Sequence, residues 1–413
     1  MPHRTRMPQN TDVFVARQPI FDQKQRVFAY QLLFRSGPEA FFTPGRPDLQ
    51  TSQVISNGMF IGLATLTDNK PAFVSFGREA LVGDLAFALP HREAVIEIID
   101  GVEATEDVLA ACRRLKKAGY RIALDRFQDT PAREGLAEFA DYIKLDVLSA
   151  PADALAGIMR KYQTALRRAI GTGVETQDAL AAAKALGLEY FQGYFFSRPV
   201  KVSTKTIPAF RLNYLKLLHE LNRPEIDMRR LEEVVKQEAS MTFRLLRRVN
   251  SAAFGFRLEA SSLRHALVLL GEREIRTCAT VWAMADLARD VPSELVVTST
   301  LRARLCEMLA PLAQMPDRAL DLFLVGMFSS LDAILDQPMD RILVSLPLSG
   351  EVREALLGGP NALRSVLDCV MAYEQGRWDR ASNLALAAGV PEREIPTCYL
   401  EAVEWTRDIF QST

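Results

Sequence analysis

Histidine and cysteine are scarce in this chain, and neither is spaced for metal binding. The 413 residues include only four histidines and five cysteines. No histidine adjoins an aspartate, no two histidines are four positions apart, and no two cysteines form a C-x-x-C pair. A metal cluster held by these residues and a disulfide framework are therefore not predicted, and we expect free thiols in a reducing cytoplasm.

Long apolar runs and an excess of charge are also missing. No uninterrupted apolar stretch approaches the roughly 20 residues of a membrane-spanning helix. The first twelve residues are polar and lack a signal-peptide core. The formal net charge is -1, so no global basic field indicates nucleic acid or an anionic membrane as a partner. We expect a cytoplasmic protein that binds neither, with residues 1–12 as a disordered leader.

Short apolar segments alternate with helical patterns in the first half of the chain. The segments PAFVSF, AVIEIID, RIALD, DYIKLD and YFQGY are typical of buried strands, and runs such as ATEDVLAACRRLKKAGY are typical of helices. This alternation predicts an α/β fold, a (β/α) barrel of the TIM type, over residues 13–200. An open doubly wound sheet is the structural alternative. Its nucleotide-binding form is disfavoured because no G-x-G-x-x-G follows the first strand.

Ionisable or amide side chains lie inside or directly after several of these strands. Because parallel strands of a barrel end at the same mouth, we expect these side chains to converge there. The residues in question are Glu97, Asp125, Lys144, Asp146, Glu175 and Gln192.

The second half of the chain has helical periodicity almost throughout. Leu263, Leu267, Leu270 and Cys278 illustrate the spacing. We predict a linker over residues 201–207, an all-α domain over 208–399 and a C-terminal tail over 400–413.

The strand segments resemble, in order, the motifs of the EAL family of phosphodiesterases, which linearise cyclic di-GMP. ARQPIFD with YQLLFR resembles the family's opening E-x-L-x-R signature. VIEIID, IALDRF and YIKLD resemble its acidic strand, its L-D-D-F-G turn and its lysine strand, and GVETQDALAAAKALGLEYFQGYFFSRP resembles its closing block. The resemblance implies a barrel whose carboxylates and one asparagine hold two divalent cations that activate a water.

Three of the metal-site positions implied by this resemblance are changed. The signature glutamate is Gln31, the asparagine is Ser75, and the second aspartate of the D-D-F-G turn is Arg126. An inward guanidinium would repel a divalent cation and would instead pair with Asp125, Glu97 or Asp146. The resemblance with these changes implies a degenerate site that holds no metal and no cofactor and does not catalyse the reaction.

The residues that match the family motif leave three interpretations open. Glu97, Asp125, Lys144 and Glu175 could form a structural ion-pair network, a vestige of the catalytic set. A ligand site for nucleotide or phosphate could survive on Arg35, Lys144, Glu175 and Gln192, with Arg35 the best phosphate contact because a guanidinium binds phosphate bidentately. Weak residual hydrolysis is the third.

The helical half resembles the HDOD family, a catalytically silent relative of the HD hydrolases. TFRLLRRVNSAAFGF, SSLRHALVLLG and GMFSSLDAIL carry the match. Ser330-Leu331-Asp332 stands where the HD metal pair would lie, so no metal is expected there. We interpret His265 as a packed interfacial histidine and Asp332 as a solvated or capping carboxylate. Arg244, Arg247 and Arg248 belong either to a solvated face or to a docking patch for an acidic partner.

An EAL-like barrel followed by an HDOD domain resembles a known combination in bacterial signal transduction. The resemblance implies a catalytically inactive protein that acts through protein–protein interaction in cyclic di-GMP-linked signalling, with a diguanylate cyclase or a kinase pathway as candidate partners. A cyclic di-GMP receptor without hydrolysis, or a weak phosphodiesterase, is the alternative.

Overall fold

The computed structural model of the chain describes residues 13–36, 62–162, 167–194, 209–223, 244, 249 and 263–411. The predicted leader over 1–12 and linker over 201–207 lie outside the described residues. Two compact units are present. The first comprises Met1–Phe196 with Cys369–Leu400, and the second comprises Ser197–Asp368 with Glu401–Thr413.

Eight strands of the first unit form a closed barrel, as predicted. The first strand runs antiparallel to both of its neighbours, the second and the eighth, and the remaining pairs are parallel. The strands are β1 (Val13–Asp22), β2 (Val27–Ser36), β3 (Ala72–Phe76), β4 (Ala94–Ile98), β5 (Arg121–Leu124), β6 (Tyr142–Asp146), β7 (Arg168–Thr172) and β8 (Tyr190–Gln192).

Helices connect the parallel strands. They are α1 (Leu63–Thr67), α2 (Arg78–Val82), α3 (Glu106–Lys117), α4 (Ala152–Tyr162) and α5 (Gln177–Ala185). The helix α3 illustrates their origin, because Val108, Ala111, Cys112 and Leu115 recur at helical spacing and are all buried. Thr105 occupies the N-cap position of α3, although its hydroxyl donates to the Asp107 side chain rather than accepting from the backbone.

One apolar layer fills the lower part of the barrel. Each of the eight strands contributes one buried residue, and the set is Ile20, Ala29, Phe73, Val95, Ala123, Tyr142, Ile170 and Tyr190. Because side chains alternate along a strand, the residues two positions further toward the C-terminal mouth face the same interior. The functional site described below is this next layer.

The second unit is helical in its described part. Its helices include α6 (Ala209–Leu221), α7 (Leu263–Leu287), α8 (Ser293–Leu309), α9 (Ala319–Phe328), α10 (Leu331–Leu335), α11 (Met339–Leu343) and α12 (Gly350–Leu356). Gly326 sets the closeness of α8 and α9, because a Cβ there would lie 2.6 Å from Ala303 Cα. Among the described helices, none has the length and apolar character of a membrane span.

The last helices are α13 (Ala362–Glu374), α14 (Trp378–Ala387) and α15 (Ile395–Gln411). Their segment Cys369–Leu400 groups with the barrel, whereas the sequence prediction assigned 208–399 to one helical domain. Helical periodicity shows that a face is buried but not which core buries it, and this causes the difference. The predicted tail over 400–413 lies largely inside α15.

Candidate functional site

The site is a polar layer directly above the apolar layer of the barrel. Each strand of the barrel contributes to it the residue that is two positions nearer the mouth. The set is Gln18, Gln31, Ser75, Glu97, Asp125, Lys144, Thr172 and Gln192. The predicted convergence of polar strand residues follows from this register.

Glu97 is the centre of the layer. Its side chain is 0% exposed, and both of its carboxylate oxygens accept from neighbours. Lys144 Nζ lies 2.5 Å from Glu97 Oε1, and the Lys144 side chain is 1% exposed. Gln31 Nε2 donates to Glu97 Oε2 at 2.6 Å, and Ser75 Oγ donates to the same oxygen at 2.7 Å. The negative charge of Glu97 is therefore balanced by an internal cation and two neutral donors.

Gln31 connects this carboxylate to the other side of the barrel. Its Oε1 accepts from Lys144 Nζ at 3.0 Å and from Gln192 Nε2 at 2.5 Å. Gln192 Nε2 also donates to Gln18 Oε1 at 2.8 Å. A continuous network of polar side chains thus crosses the barrel from β1 to β6.

Asp125 stands at the edge of the network. Its carboxylate lies 4.0 Å from Lys144 Nζ. Burial raises the pKa of Asp125, the charge of Glu97 raises it further, and Lys144 and Arg126 oppose the shift. Arg133, which is 5% exposed, donates to the Asp125 main-chain carbonyl at 3.1 Å and ion-pairs with Asp100.

Arg126 directly follows Asp125 in the chain. Its side chain is exposed and its φ of 41° places the backbone in the left-handed region. The internal cation beside Glu97 is instead Lys144.

The donor set does not fit the two-cation centre that the sequence resemblance implies. Gln31 and Ser75 bring no charge, and each donates a hydrogen bond to Glu97. Two hard divalent cations require several anionic oxygens within reach. Among the described residues, no group of three or more His, Cys, Asp and Glu side chains is arranged to hold a metal ion.

Comparison with known proteins identifies the family of this chain. The EAL domain family matches residues 72–199, and the HDOD domain family matches residues 207–335. YuxH of Bacillus subtilis, an uncharacterized protein, is 33% identical over 409 residues, covering 97% of this chain and 99% of the relative. The cyclic di-GMP phosphodiesterase CdgJ of Vibrio cholerae is 30% identical over 401 residues, covering 96% of this chain and 93% of the relative. The chain is an EAL–HDOD protein.

Solved structures with an EAL domain have lower overall similarity. Klebsiella pneumoniae BlrP1, in complex with calcium and cyclic di-GMP, has a TM-score of 0.39 and 20% identity, covering 48% of this chain and 58% of that protein. Bacillus subtilis YkuI, with cyclic di-GMP and calcium, has a TM-score of 0.37 and 18% identity, covering 56% of this chain and 72% of that protein.

The barrel brings together only some of the residues that the sequence analysis singled out. Lys144 and Gln192 both contact Gln31, whereas Arg35 does not join them. Arg35 is 6% exposed, and its guanidinium ion-pairs with Glu392 at 3.1 Å. Glu175 is half-buried.

Asp146 serves a turn rather than the network. Its Oδ1 accepts from the backbone nitrogens of Leu148 and Ser149 at 3.0 and 3.1 Å. This hydrogen-bonding pattern is that of an Asx turn after a strand, so Asp146 stabilises the loop that follows β6.

The residues singled out in the HDOD half have structural contacts where they are described. Asp332 Oδ1 accepts from the Ala333 nitrogen at 2.8 Å, and burial raises the pKa of Asp332. Arg244 ion-pairs with the buried Asp286 at 3.2 Å. The side chain of His265 and the residues Arg247 and Arg248 lie outside the described part of the chain.

Three residues at the site, Gln18, Thr172 and Arg133, were missed at the sequence level. Gln18 lies in the quoted ARQPIFD motif, and its position two residues before Ile20 on an alternating strand would have indicated an inward side chain. Arg133 follows an irregular loop, and no periodic signal marks it. Its role is fixed only by tertiary contacts with Asp100 and the Asp125 carbonyl.

Proposed function

We propose that this EAL–HDOD protein takes part in cyclic di-GMP-linked signalling without hydrolysing the dinucleotide, and that it acts in the cytoplasm through protein partners. The observation that carries the proposal is the saturation of Glu97 by Lys144, Gln31 and Ser75. The carboxylate that would be needed as a metal ligand is engaged by internal donors.

Gln31 and Ser75 are the two changed positions that contact Glu97. Lys144 belongs to the motif that resembles the family, so its presence alone does not argue against catalysis. A glutamine and a serine at the other two positions remove one negative charge and supply hydrogen-bond donors to Glu97. A divalent cation would have to displace these donors and approach the Lys144 ammonium, which is held 2.5 Å from Glu97.

The decisive experiment measures Mn²⁺ binding and cyclic di-GMP turnover in the natural protein and in a restored variant. The restored variant carries Gln31→Glu, Ser75→Asn and Arg126→Asp, which returns the ligand types that the family motif implies. We expect the natural protein to produce no linear dinucleotide and the restored variant to gain calorimetric Mn²⁺ binding. Adding Glu97→Gln to the restored variant should remove that gain. Linear product from the natural protein that depends on Mn²⁺ would overturn the proposal.

A phosphodiesterase is the second candidate, because CdgJ bears that name and aligns with nearly the whole chain. This candidate requires that Glu175→Ala abolish any product formed by the natural protein with Mg²⁺ or Mn²⁺. The proposed protein-interaction role instead predicts a stable complex with a signalling protein, and this complex should persist in EDTA. Capture with the purified full-length chain, followed by reconstitution with the purified partner, tests it.

A further inference from the structure

Arg35 is a nearly buried cation at the C-terminal mouth of the barrel. It faces Phe14 in the β1–β2 register, and its position is four residues beyond Gln31 on β2. Since alternate strand residues share a face, Gln31, Leu33 and Arg35 all belong to the inward face of β2. Arg35 is thus the position on this face nearest the mouth, above the polar layer.

The residues that meet Arg35 come from the C-terminal part of the same unit. Arg35 Nη1 donates to Ser382 Oγ at 2.8 Å and to Glu392 Oε1 at 3.1 Å. Ser382 Oγ also donates to Glu392 Oε1 at 2.5 Å. The guanidinium, the hydroxyl and the carboxylate therefore form a closed triangle in which Glu392 is the anion.

Other contacts hold this segment, Cys369–Leu400, at the same end of the barrel. The Phe14 ring packs against Tyr373 and Trp378, with centroids 6.1 and 6.2 Å apart. Tyr194, directly after β8, donates from its hydroxyl to the Glu374 carbonyl at 3.3 Å. Gly376 approaches Leu33 so closely that a Cβ there would lie 2.7 Å from Leu33 Cδ1. The segment therefore covers the β1–β2–β8 side of the mouth.

We propose that Arg35 is an anion-binding residue that the chain itself covers with Glu392, which Ser382 helps to hold in place, and that a nucleotide phosphodiester competes with this carboxylate for Arg35. Competition follows from charge, because a guanidinium binds carboxylate and phosphate oxygens with the same geometry. When the phosphodiester binds, Glu392 is released and the segment loosens. The choice of cyclic di-GMP as the ligand rests on the proposed function, whereas the closure by Glu392 rests on the contacts alone.

Neighbouring glutamates provide a matched pair of variants. Glu392→Gln removes the competing charge and keeps the shape of the side chain. Glu394→Gln is the control, because Glu394 lies in the same short 3₁₀ helix, has a side chain that is 46% exposed and forms an ion pair with the adjacent Arg393. Ser382→Ala weakens the triangle without altering charge and keeps the test valid if Glu392→Gln impairs folding.

The test is calorimetric binding of cyclic di-GMP to the full-length variants in EDTA, with hydrogen exchange of the peptides covering residues 376–394 on the same samples. We expect Glu392→Gln to bind at least about tenfold more tightly than the natural protein. Ser382→Ala should give a smaller gain, and Glu394→Gln none. Arg35→Gln combined with Glu392→Gln should lose the gain. Ligand binding should raise exchange in residues 376–394.

Equal affinities of the Glu392→Gln and Glu394→Gln variants would overturn the inference, and so would ligand binding that leaves exchange in residues 376–394 unchanged. An absence of cyclic di-GMP binding in every variant would also overturn it, while the proposed protein-interaction role would stand. Production of linear dinucleotide with Mn²⁺ would instead overturn the proposed function. The competition at Arg35 would still be tested by the ligand affinities and the hydrogen exchange of residues 376–394.

Discussion

Lys144 Nζ lies 2.5 Å from Glu97 Oε1 inside the barrel, where the two side chains are 1% and 0% exposed. Removing one member of a buried ion pair leaves the other charge without compensation, at a cost of about 3–5 kcal/mol. We therefore expect Lys144→Met to lower the free energy of unfolding by that amount, measured as a shift in the urea midpoint of the barrel transition.

The double variant Lys144→Met with Glu97→Gln should recover much of that loss, because it leaves no buried charge. Lys161→Met is the control: Lys161 ion-pairs with Asp129 and Glu134 at the surface, and its loss should not shift the midpoint measurably. A Lys144→Met variant as stable as the natural protein would contradict the assignment of this pair as buried and coupled.

Gln31→Glu should destabilise the protein on its own. The change replaces the donor 2.6 Å from Glu97 Oε2 with a second carboxylate, so a hydrogen bond is exchanged for like-charge repulsion. We expect a loss of at least about 2 kcal/mol at pH 7, measured by chemical unfolding. The loss should shrink on acidification, since one carboxylate of such a pair takes up a proton. Gln31→Met removes the donor without adding charge and separates the two effects.

Asp125 gives the stability curve a defined pH dependence. Burial raises its pKa in the folded protein above the value in the unfolded chain, which means that the unfolded state loses the proton more readily. The contribution of Asp125 to the free energy of unfolding is therefore complete at pH values below its pKa in the unfolded chain. It is lost as the pH rises through its higher pKa in the folded protein. Asp125→Asn should therefore melt at a higher temperature than the natural protein at neutral pH, and the difference should disappear in acid.

Gly193 allows β8 to pass close to the backbone after β7. A Cβ on Gly193 would lie 2.0 Å from the Val174 carbonyl oxygen. We expect Gly193→Ala to cost upwards of about 3 kcal/mol and to disturb the adjacent Gln192. Gly157→Ala, inside α4 with no atom within 4 Å of its added Cβ, should raise stability by about 0.5–1 kcal/mol. Thermal melts of the two variants should show a lower melting temperature for Gly193→Ala and a higher one for Gly157→Ala.

Periodicity accounts for most of what could be predicted. Polar residues inside or just after successive strands predict that Glu97 and Lys144 converge at the barrel mouth, and the ion pair between them confirms this. Alternation of strands with helices predicted the barrel itself. Both signals are local, so they are visible without tertiary information.

Contacts between distant segments could not be predicted in the same way. The guanidinium of Arg35, in a strand with a family signature, predicts a phosphate contact, whereas its ion-pair partner Glu392 lies 357 residues further along the chain. The left-handed backbone of Arg126 could not be predicted either, because arginine carries no sequence signal for that conformation. Which core takes the segment Cys369–Leu400 is likewise decided by packing and not by helical period.

The two-segment composition of the barrel unit constrains how the protein folds during synthesis. The Arg17 nitrogen donates to the Tyr399 hydroxyl across 382 residues of sequence. Chains emerge from the ribosome N-terminus first, so the eight strands are made long before the residues that cover Phe14 and Arg35. Until then the strands lack the segment that covers Phe14 and pairs with Arg35, and we expect closure by this later-made segment to be a late, slow step because its contact order is high.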